Sequence, residues 1–286
     1  MTSGQFLTLR ILIIAYNFFS CNSEIIPVEQ AVVPLGNVEY SYGFGVYETI
    51  RVSKGRILFA NEHCDRLLES ARIIKLEHPF TAEQVITDIQ KLVDKNDVDS
   101  CNIKVLLIGA TEPSEAKLYI LCLNPLYPDR KLYKNGAKCI TQHYERPFPH
   151  AKTLNMLQSY LAYREAKKVN AYDALAINQH GAITEGTRTN FFAIKDSQIF
   201  SPPETDILLG VTRDHVLRVA KQNGFEFIEK EITPNDLGAY DGFFLTSTST
   251  KIMPVKQIDD QTFEVPAELK QLMLRFDEFL AQLPQN

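Results

Sequence analysis

The sequence predicts an α+β fold in two mixed α/β domains, and three observations carry that reading. The chain has 286 residues, close to two domains of about 150 residues each. Strand-like and helix-like segments are mixed in both halves, with no clean βαβ alternation. The stretch Asn124-Pro125-Leu126-Tyr127-Pro128-Asp129-Arg130, with its two prolines and its charges, is the sharpest break in the pattern. It divides the chain into a smaller N-terminal domain over 1–124, a linker over 125–131 and a larger C-terminal domain over 132–286.

Arg10, the run Ile11-Leu12-Ile13-Ile14-Ala15 and then Phe18-Phe19 resemble a short signal-peptide apolar region. The run is far below the roughly 20 residues of a spanning helix, and no small-x-small cleavage site follows it. The preferred reading is a first strand that turns at Cys21-Asn22-Ser23 into Glu24-Ile25-Ile26. Alternation in VYETIRV, followed by Lys54-Gly55, marks a strand entering a hairpin. Leu67, Leu68, Ala71 and Ile74 recur at helical spacing within 61–75, and a second helix covers 82–94 with Thr81 as its N-cap. Strands at 102–108 and 117–123 are joined by Thr111-Glu112-Pro113-Ser114. Beyond the linker come a strand at 137–143, a helix from about Leu154 to Lys168, and strands at 173–178, 189–195 and 198–201. A helix from Thr212 ends near Gly224, placed as its C′ residue. Strands at 225–231 and 242–246 and an amphipathic helix near 266–282 complete the chain.

Hydrophobic residues make up 45% of the chain and charged residues 23%, which excludes a disordered or collagen-like chain. A net charge of −5 argues against general binding to nucleic acid, whose phosphate backbone needs a basic surface. The five cysteines are widely spaced with no CxxC pair, so neither a disulfide framework nor a structural zinc site is expected. Cys122 and Cys139 lie in or near apolar runs and read as buried small hydrophobes. A reducing compartment, the cytoplasm, fits this usage, and no membrane partner or metal is expected.

Chemistry enters with Lys152, at the junction of a proline-rich extended segment and a helix. Downstream stand an acid in a glycine turn (Ile183-Thr184-Glu185-Gly186), a helix start (Leu209-Gly210-Val211-Thr212) and a hydroxyl cluster (Thr246-Ser247-Thr248-Ser249-Thr250). Pyridoxal 5'-phosphate requires these four features. Its aldehyde needs a lysine amine, its ring nitrogen an anion, and its phosphate a helix N-terminus, hydroxyls and an arginine.

The motifs YGFGVYETIRV (42–52), EHCDRL (62–67), KTLN (152–155), ITEGTRTNFF (183–192), LLGVTRDHV (208–216) and TSTSTKIMPV (246–255) are similar to those of the class IV aminotransferases. These are the fold-type IV pyridoxal-phosphate enzymes, which include branched-chain and D-amino acid aminotransferases and aminodeoxychorismate lyase. The six stand in the family's order from about residue 18 to residue 256. The resemblance implies a D-amino acid aminotransferase-like fold with the cofactor site between the domains and the cofactor lysine on the C-terminal one. It implies that Lys152 carries the aldehyde, that Glu185 pairs with the ring nitrogen, and that Asn190 closes the EGxxxN motif. It places Arg66, the amides of Val211 and Thr212, and the hydroxyls of Ser247 and Thr248 on the phosphate. Tyr42, Tyr47, Thr49 and Ser249 fall on the substrate side.

Three departures bear on the reaction. Branched-chain enzymes read K-x-G-G-N and FEG where this chain has KTLN and Tyr47-Glu48-Thr49. D-amino acid enzymes read FGDGVYE, with an Arg–His carboxylate trap after the next strand. Here Phe44 replaces the Asp, and Gly109-Ala110-Thr111-Glu112 holds neither Arg nor His. Thr49, Lys104 and IMPV resemble the lyase. The expected activity is transfer of an amino group between an amino acid, branched-chain-like or D, and a 2-oxo acid. Aminodeoxychorismate lyase, which forms 4-aminobenzoate and releases pyruvate, is the alternative. Lys104 is the candidate for the substrate carboxylate. The resemblance also implies a homodimer, and the aromatics Tyr16, Phe18, Phe19, Tyr40, Tyr42, Phe44 and Tyr47 are expected at its interface.

Overall fold

Two compact units make up the chain: Met1–Leu126 with Ala151–Asn155, and Tyr127–His150 with Met156–Gln285. The computed structural model describes residues 16–33, 38–125 and 128–283. The apolar run Ile11–Ala15 and the linker residues Leu126 and Tyr127 lie outside them.

The first unit is built on a six-stranded antiparallel sheet. Its strands are β1 (Phe18–Cys21), β2 (Glu24–Pro27), β3 (Gly45–Ser53), β4 (Arg56–Ile57), β5 (Ser100–Ile108) and β6 (Lys117–Leu123). Their spatial order is β2-β1-β6-β5-β3-β4. The helices are α1 (Val38–Tyr42), α2 (Ala60–Ile73) and α3 (Ala82–Lys95). Period-two alternation turns Val46, Ile50 and Val52 of β3 and Cys101, Ile103, Val105 and Leu107 of β5 onto one face. They share a core with Leu67 and Ala71 of α2 and Val85, Ile89 and Leu92 of α3. Each such large apolar side chain, fully buried, contributes about 1.5–3 kcal/mol. The expected cap of α3 forms: the Gln84 N–H donates to Thr81 Oγ1 at 3.2 Å, a contact worth about 1 kcal/mol.

The opposite face of β3 and β5 carries Tyr47, Thr49 and Lys104, with Thr49 directly across from Lys104. Beside β3, β4 pairs only with Val52 and Ser53, so the other end of that edge needs a partner. Residues 152–154 supply it. The Tyr47 N–H donates to the Lys152 carbonyl and the Leu154 N–H to the Gly45 carbonyl, both at 2.9 Å. Lys152, expected on the C-terminal domain, therefore belongs to the first unit. The expected helix at Leu154 starts only at Leu157 for the same reason.

In the second unit, α4 (Arg130–Asn135) precedes β7 (Ala137–His143), and α5 (Leu157–Lys168) precedes β8 (Asp173–Ile177). Next come β9 (Ile183–Gly186), β10 (Asn190–Lys195), β11 (Gln198–Ser201), α6 (Val211–Gln222) and β12 (Glu226–Glu229). The unit ends with β13 (Gly242–Ser247), β14 (Lys251–Ile258), β15 (Gln261–Thr262) and α7 (Ala267–Gln282). Strands β10-β13-β14-β7-β8-β9 pair in that order, and β9 returns to β10 through Glu185↔Asn190, closing a six-stranded ring. Leu175, Ile177, Phe191, Ala193, Phe243, Leu245, Met253 and Val255 share one core. Phe192 and Phe244, of the opposite phase, stack at 4.8 Å.

Some elements of the second unit differ from the sequence reading. Ile183–Gly186, expected as a glycine turn, is strand β9, buried on both faces and so without alternation. Neither α4 nor β14, which contains Pro254, was expected. Gly224 follows α6 with φ +85°, as a C′ glycine should. Cys122 and Cys139 are buried.

The early aromatics also differ from expectation. Phe19 and Tyr47 are buried, and Tyr16, Phe18 and Phe44 pack on the first unit's own core. The Tyr40 and Tyr119 hydroxyls meet at 2.6 Å. Only Tyr42 of the seven stands open to solvent, so the cluster lends no support to an interface.

Candidate active site

Two groups of functional side chains emerge, one in each unit. In the first, the short segment along β3 fixes Lys152 by its backbone, and the Lys152 N–H donates to Ser70 Oγ at 3.0 Å. The Lys152 ammonium lies 4.6 Å from the centroid of the Tyr47 ring, and the Lys104 ammonium 3.5 Å from the same centroid. Burial is the main cause that pulls the Lys104 ammonium down to about 8. The Lys152 charge adds to the drop, while Tyr47 and Glu48 oppose it. Tyr42, expected with Tyr47 on the substrate side, is 80% exposed at the end of α1.

On the core-facing side of β3, Glu48 is fully buried. Its Oε1 accepts from Arg66 Nε at 2.7 Å and its Oε2 from Arg66 Nη2 at 2.9 Å, a bidentate fork. His63 Nδ1 also reaches Oε2, at 2.9 Å, and the Thr49 N–H donates to the same oxygen at 3.2 Å. Burial would raise the Glu48 carboxyl, but Arg66 and His63 outweigh it and hold it well below the usual carboxylate range. Burial lowers the His63 imidazole against the pull of Glu48. The buried His63 Nε2 has no hydrogen-bond partner. Thus Arg66 is anchored by a carboxylate that the sequence reading did not single out. The signal was a charged residue in phase with Val46 and Ile50 on an apolar strand face.

In the second unit, Glu185, Asn190 and Thr246 form one row across β9, β10 and β13. Glu185 Oε2 accepts from the Leu208 N–H at 3.1 Å, and Asn190 Nδ2 donates to the Leu208 carbonyl at 2.6 Å. Both backbone groups of Leu208, just before α6, are therefore clamped by the EGxxxN side chains. Gly210 is required by this clamp, since a Cβ there would lie 2.1 Å from Asn190 Oδ1. Arg146 Nη1 donates to the other Glu185 oxygen at 3.1 Å. Arg146 was missed because its proline-rich segment shows no periodicity. Asp173, also missed, is fully buried and accepts from the hydroxyls of Thr187 and Thr189, bracing the same motif.

Helix α6 follows Gly210 at its N-cap with no side-chain cap, so its first amides, those of Val211 and Thr212 among them, lie at a helix end of the kind that favours an anion. Ser247 ends β13, and Thr248 and Ser249 lie in the loop of the β13–β14 hairpin. Ser247 Oγ and Thr250 Oγ1 meet at 2.7 Å. A pocket of about 160 Å³ in this unit is lined by Arg146, Glu185, Asn178, His180 and Asp206 among others.

Taken by itself, the second unit has a buried carboxylate tied to a helix start, an uncapped helix N-terminus and clustered hydroxyls, groups that fit the ring nitrogen and phosphate of pyridoxal phosphate. Taken by itself, the first unit has the Lys152 amine beside the Tyr47 ring, a group that fits the aldehyde. One buried atom of the Glu185 row, Thr246 Oγ1, has no hydrogen-bond partner. Among the described residues no group of His, Cys, Asp and Glu side chains is arranged to hold a metal ion.

The class that this fold and these motifs define is that of the amino-transferases of class IV, whose family model matches residues 45–258. A Methanocaldococcus jannaschii protein named as a branched-chain-amino-acid aminotransferase is 31% identical over 87% of this chain and 93% of its own. The D-alanine aminotransferase of Bacillus licheniformis is 30% identical over 84% of this chain and 88% of its own. The structure of a T.th. branched-chain amino acid aminotransferase, complexed with N-(5'-phosphopyridoxyl)-L-glutamate, matches with a TM-score of 0.85 at 26% identity. The match covers 95% of this chain and 96% of that one. This chain belongs to the class IV aminotransferase family and is an enzyme of that class.

Proposed function

We propose that the chain transfers an amino group between an amino acid and a 2-oxo acid with pyridoxal 5'-phosphate bound through Lys152. The observation that carries the reading is the Glu185 row, where a buried carboxylate and Asn190 together hold the residue that leads into an anion-binding helix end. Pyridoxal phosphate, when bound, supplies an aldehyde carbon and a sink for the electron pair left at the substrate Cα. The chain's residues do the rest. Lys152 Nζ takes the Cα proton and returns it during the transfer. Glu185, whose oxygens retain free lone pairs beside Arg146 and Leu208, accepts the ring N–H. Arg66, the Val211 and Thr212 amides, Ser247 and Thr248 bind phosphate oxygens. Tyr47, Thr49 and Ser249 border the amino acid, and Lys104 pairs with its carboxylate.

The relatives' names support an amino donor of branched-chain or D type. The free cysteines support a cytoplasmic setting. Leu157, Tyr160 and Leu161, exposed at i, i+3 and i+4 on α5, support a homodimer. The test is a panel of L- and D-amino acids with 2-oxoglutarate or pyruvate, run beside aminodeoxychorismate. Amino transfer to the oxo acid is the expected result. Pyruvate and 4-aminobenzoate from aminodeoxychorismate, with no transfer from any amino acid, would replace transamination by the lyase reaction.

A further inference from the structure

Hydroxyl and backbone groups of Tyr133, Tyr172, Ser247 and Thr250 meet at the loop of the β13–β14 hairpin in the second unit. The Tyr172 hydroxyl donates to Thr250 Oγ1 at 3.2 Å, and Thr250 Oγ1 meets Ser247 Oγ at 2.7 Å. Ser247 Oγ also accepts from the Thr250 N–H at 3.3 Å. The loop backbone is held from a second side, where the Tyr133 hydroxyl of α4 donates to the Thr250 carbonyl at 3.2 Å. Tyr172 and Thr250 are buried, while Ser247 is half-buried.

One proton order satisfies this chain of hydroxyls. Each hydroxyl has one proton to give and two lone pairs to fill. Burial raises the Tyr172 phenol above its ordinary value, so it stays protonated and gives its proton to Thr250. Among the described residues, the other side-chain neighbour of Thr250 Oγ1 within hydrogen-bond distance is Ser247 Oγ. A buried O–H without an acceptor is costly, so Thr250 donates to Ser247. Ser247 Oγ thereby accepts twice, from the Thr250 hydroxyl and from the Thr250 amide, and both its lone pairs are used. What it has left is a proton. A phosphate offers acceptor oxygens, so it pairs with a hydroxyl in this state.

We propose that Tyr172 is a positioning residue for the cofactor phosphate: acting through Thr250, it commits the Ser247 hydroxyl to donate to a phosphate oxygen. The proposal rests on the reading of Ser247 as a phosphate contact. Two contacts hold the tyrosine itself in place. Its N–H donates to the Lys138 carbonyl at 2.7 Å, and the Arg188 guanidinium lies 5.7 Å from its ring centroid. Without the Tyr172 proton, Thr250 Oγ1 is free to accept from Ser247 instead, and the Ser247 proton is drawn back into the loop.

The test compares two probes on the full chain freed of cofactor: pyridoxal 5'-phosphate, and pyridoxal, which lacks the phosphate. Binding of each is followed by absorbance in the parent, Tyr172→Phe, Ser247→Ala and the double variant. Tyr172→Phe keeps the ring and removes only the donor. It should weaken pyridoxal-phosphate binding by about three- to tenfold, the range of one neutral hydrogen bond, and leave pyridoxal within about twofold of the parent. Ser247→Ala should show a loss of about tenfold or more, again for the phosphate probe alone. The double variant should bind no more weakly than Ser247→Ala, because Tyr172 acts through Ser247. A Tyr172→Phe protein that binds pyridoxal phosphate within about twofold of the parent, or that loses both probes equally, overturns the proposal. So does a double variant whose loss is the product of the two single losses. If Ser247→Ala leaves the phosphate probe unaffected, the reading of Ser247 as a phosphate contact falls, and the proposal falls with it.

Discussion

Glu48 is the residue whose replacement should cost the first unit most for the smallest change in shape. Glu48→Gln keeps the volume and one acceptor but turns the second arm of the Arg66 fork from N–H···O into N–H facing N–H. Each charged hydrogen bond is worth about 1.5–3 kcal/mol, and removing one partner of a buried pair costs about 3–5 kcal/mol. Glu48 is fully buried and Arg66 13% exposed. One arm survives, so the expected loss is about 3 kcal/mol, roughly a 100-fold change in the unfolding equilibrium. Hydrogen exchange of peptides from β3 and α2, measured against urea at pH 7.5, isolates the first unit. With a slope of about 2 kcal/mol per molar urea, the midpoint should fall by about 1.5 M. The difference should also depend on pH. The carboxyl lies below its ordinary value when folded, so its contribution is full above about pH 4.3, the unfolded value, and is lost as pH falls through the folded value. Parent and variant should therefore converge in acid. A loss below about 1 kcal/mol at pH 7.5 would refute a buried, charged Glu48 as the anchor of Arg66.

Two further outcomes follow from the site. Glu185→Gln should lower the turnover rate far more than cofactor affinity, because it removes the charge opposite the ring nitrogen; a variant with full activity would make Glu185 a structural clamp on Leu208 only. Arg66→Ala should weaken cofactor retention by about one to two orders of magnitude, measured by dialysis and absorbance, since a charged phosphate contact contributes about 1.5–3 kcal/mol. Unchanged retention would confine Arg66 to its pairing with Glu48.

Legibility in the sequence followed the physics of each element. The first unit's hairpin, α2 and α3 read correctly because VYETIRV alternates, 61–75 and 82–94 repeat at helical spacing, and Thr81 caps α3, whereas the short α1 was not expected. Strand β9 did not read as a strand, since ITEG is four residues, ends in glycine and is buried on both faces. The start of α5 was misplaced because Lys152, Thr153 and Leu154 satisfy the edge of β3, a long-range demand that local propensity does not carry. The motifs single out Lys152 and Glu185 in the sequence as the candidate chemistry. Arg146 and Asp173 act through partners distant in the chain, and their roles became visible only with the hydrogen bonds in place.

The most direct measurement of the central claim is covalent. The holoenzyme is reduced with borohydride, digested and mapped by mass spectrometry for the phosphopyridoxyl mass. The expected result is a single labelled peptide carrying the mass on Lys152 and no label at that position in Lys152→Ala. Label on Lys104 or any other lysine of the parent chain, or a protein that takes up no label at all, would contradict it.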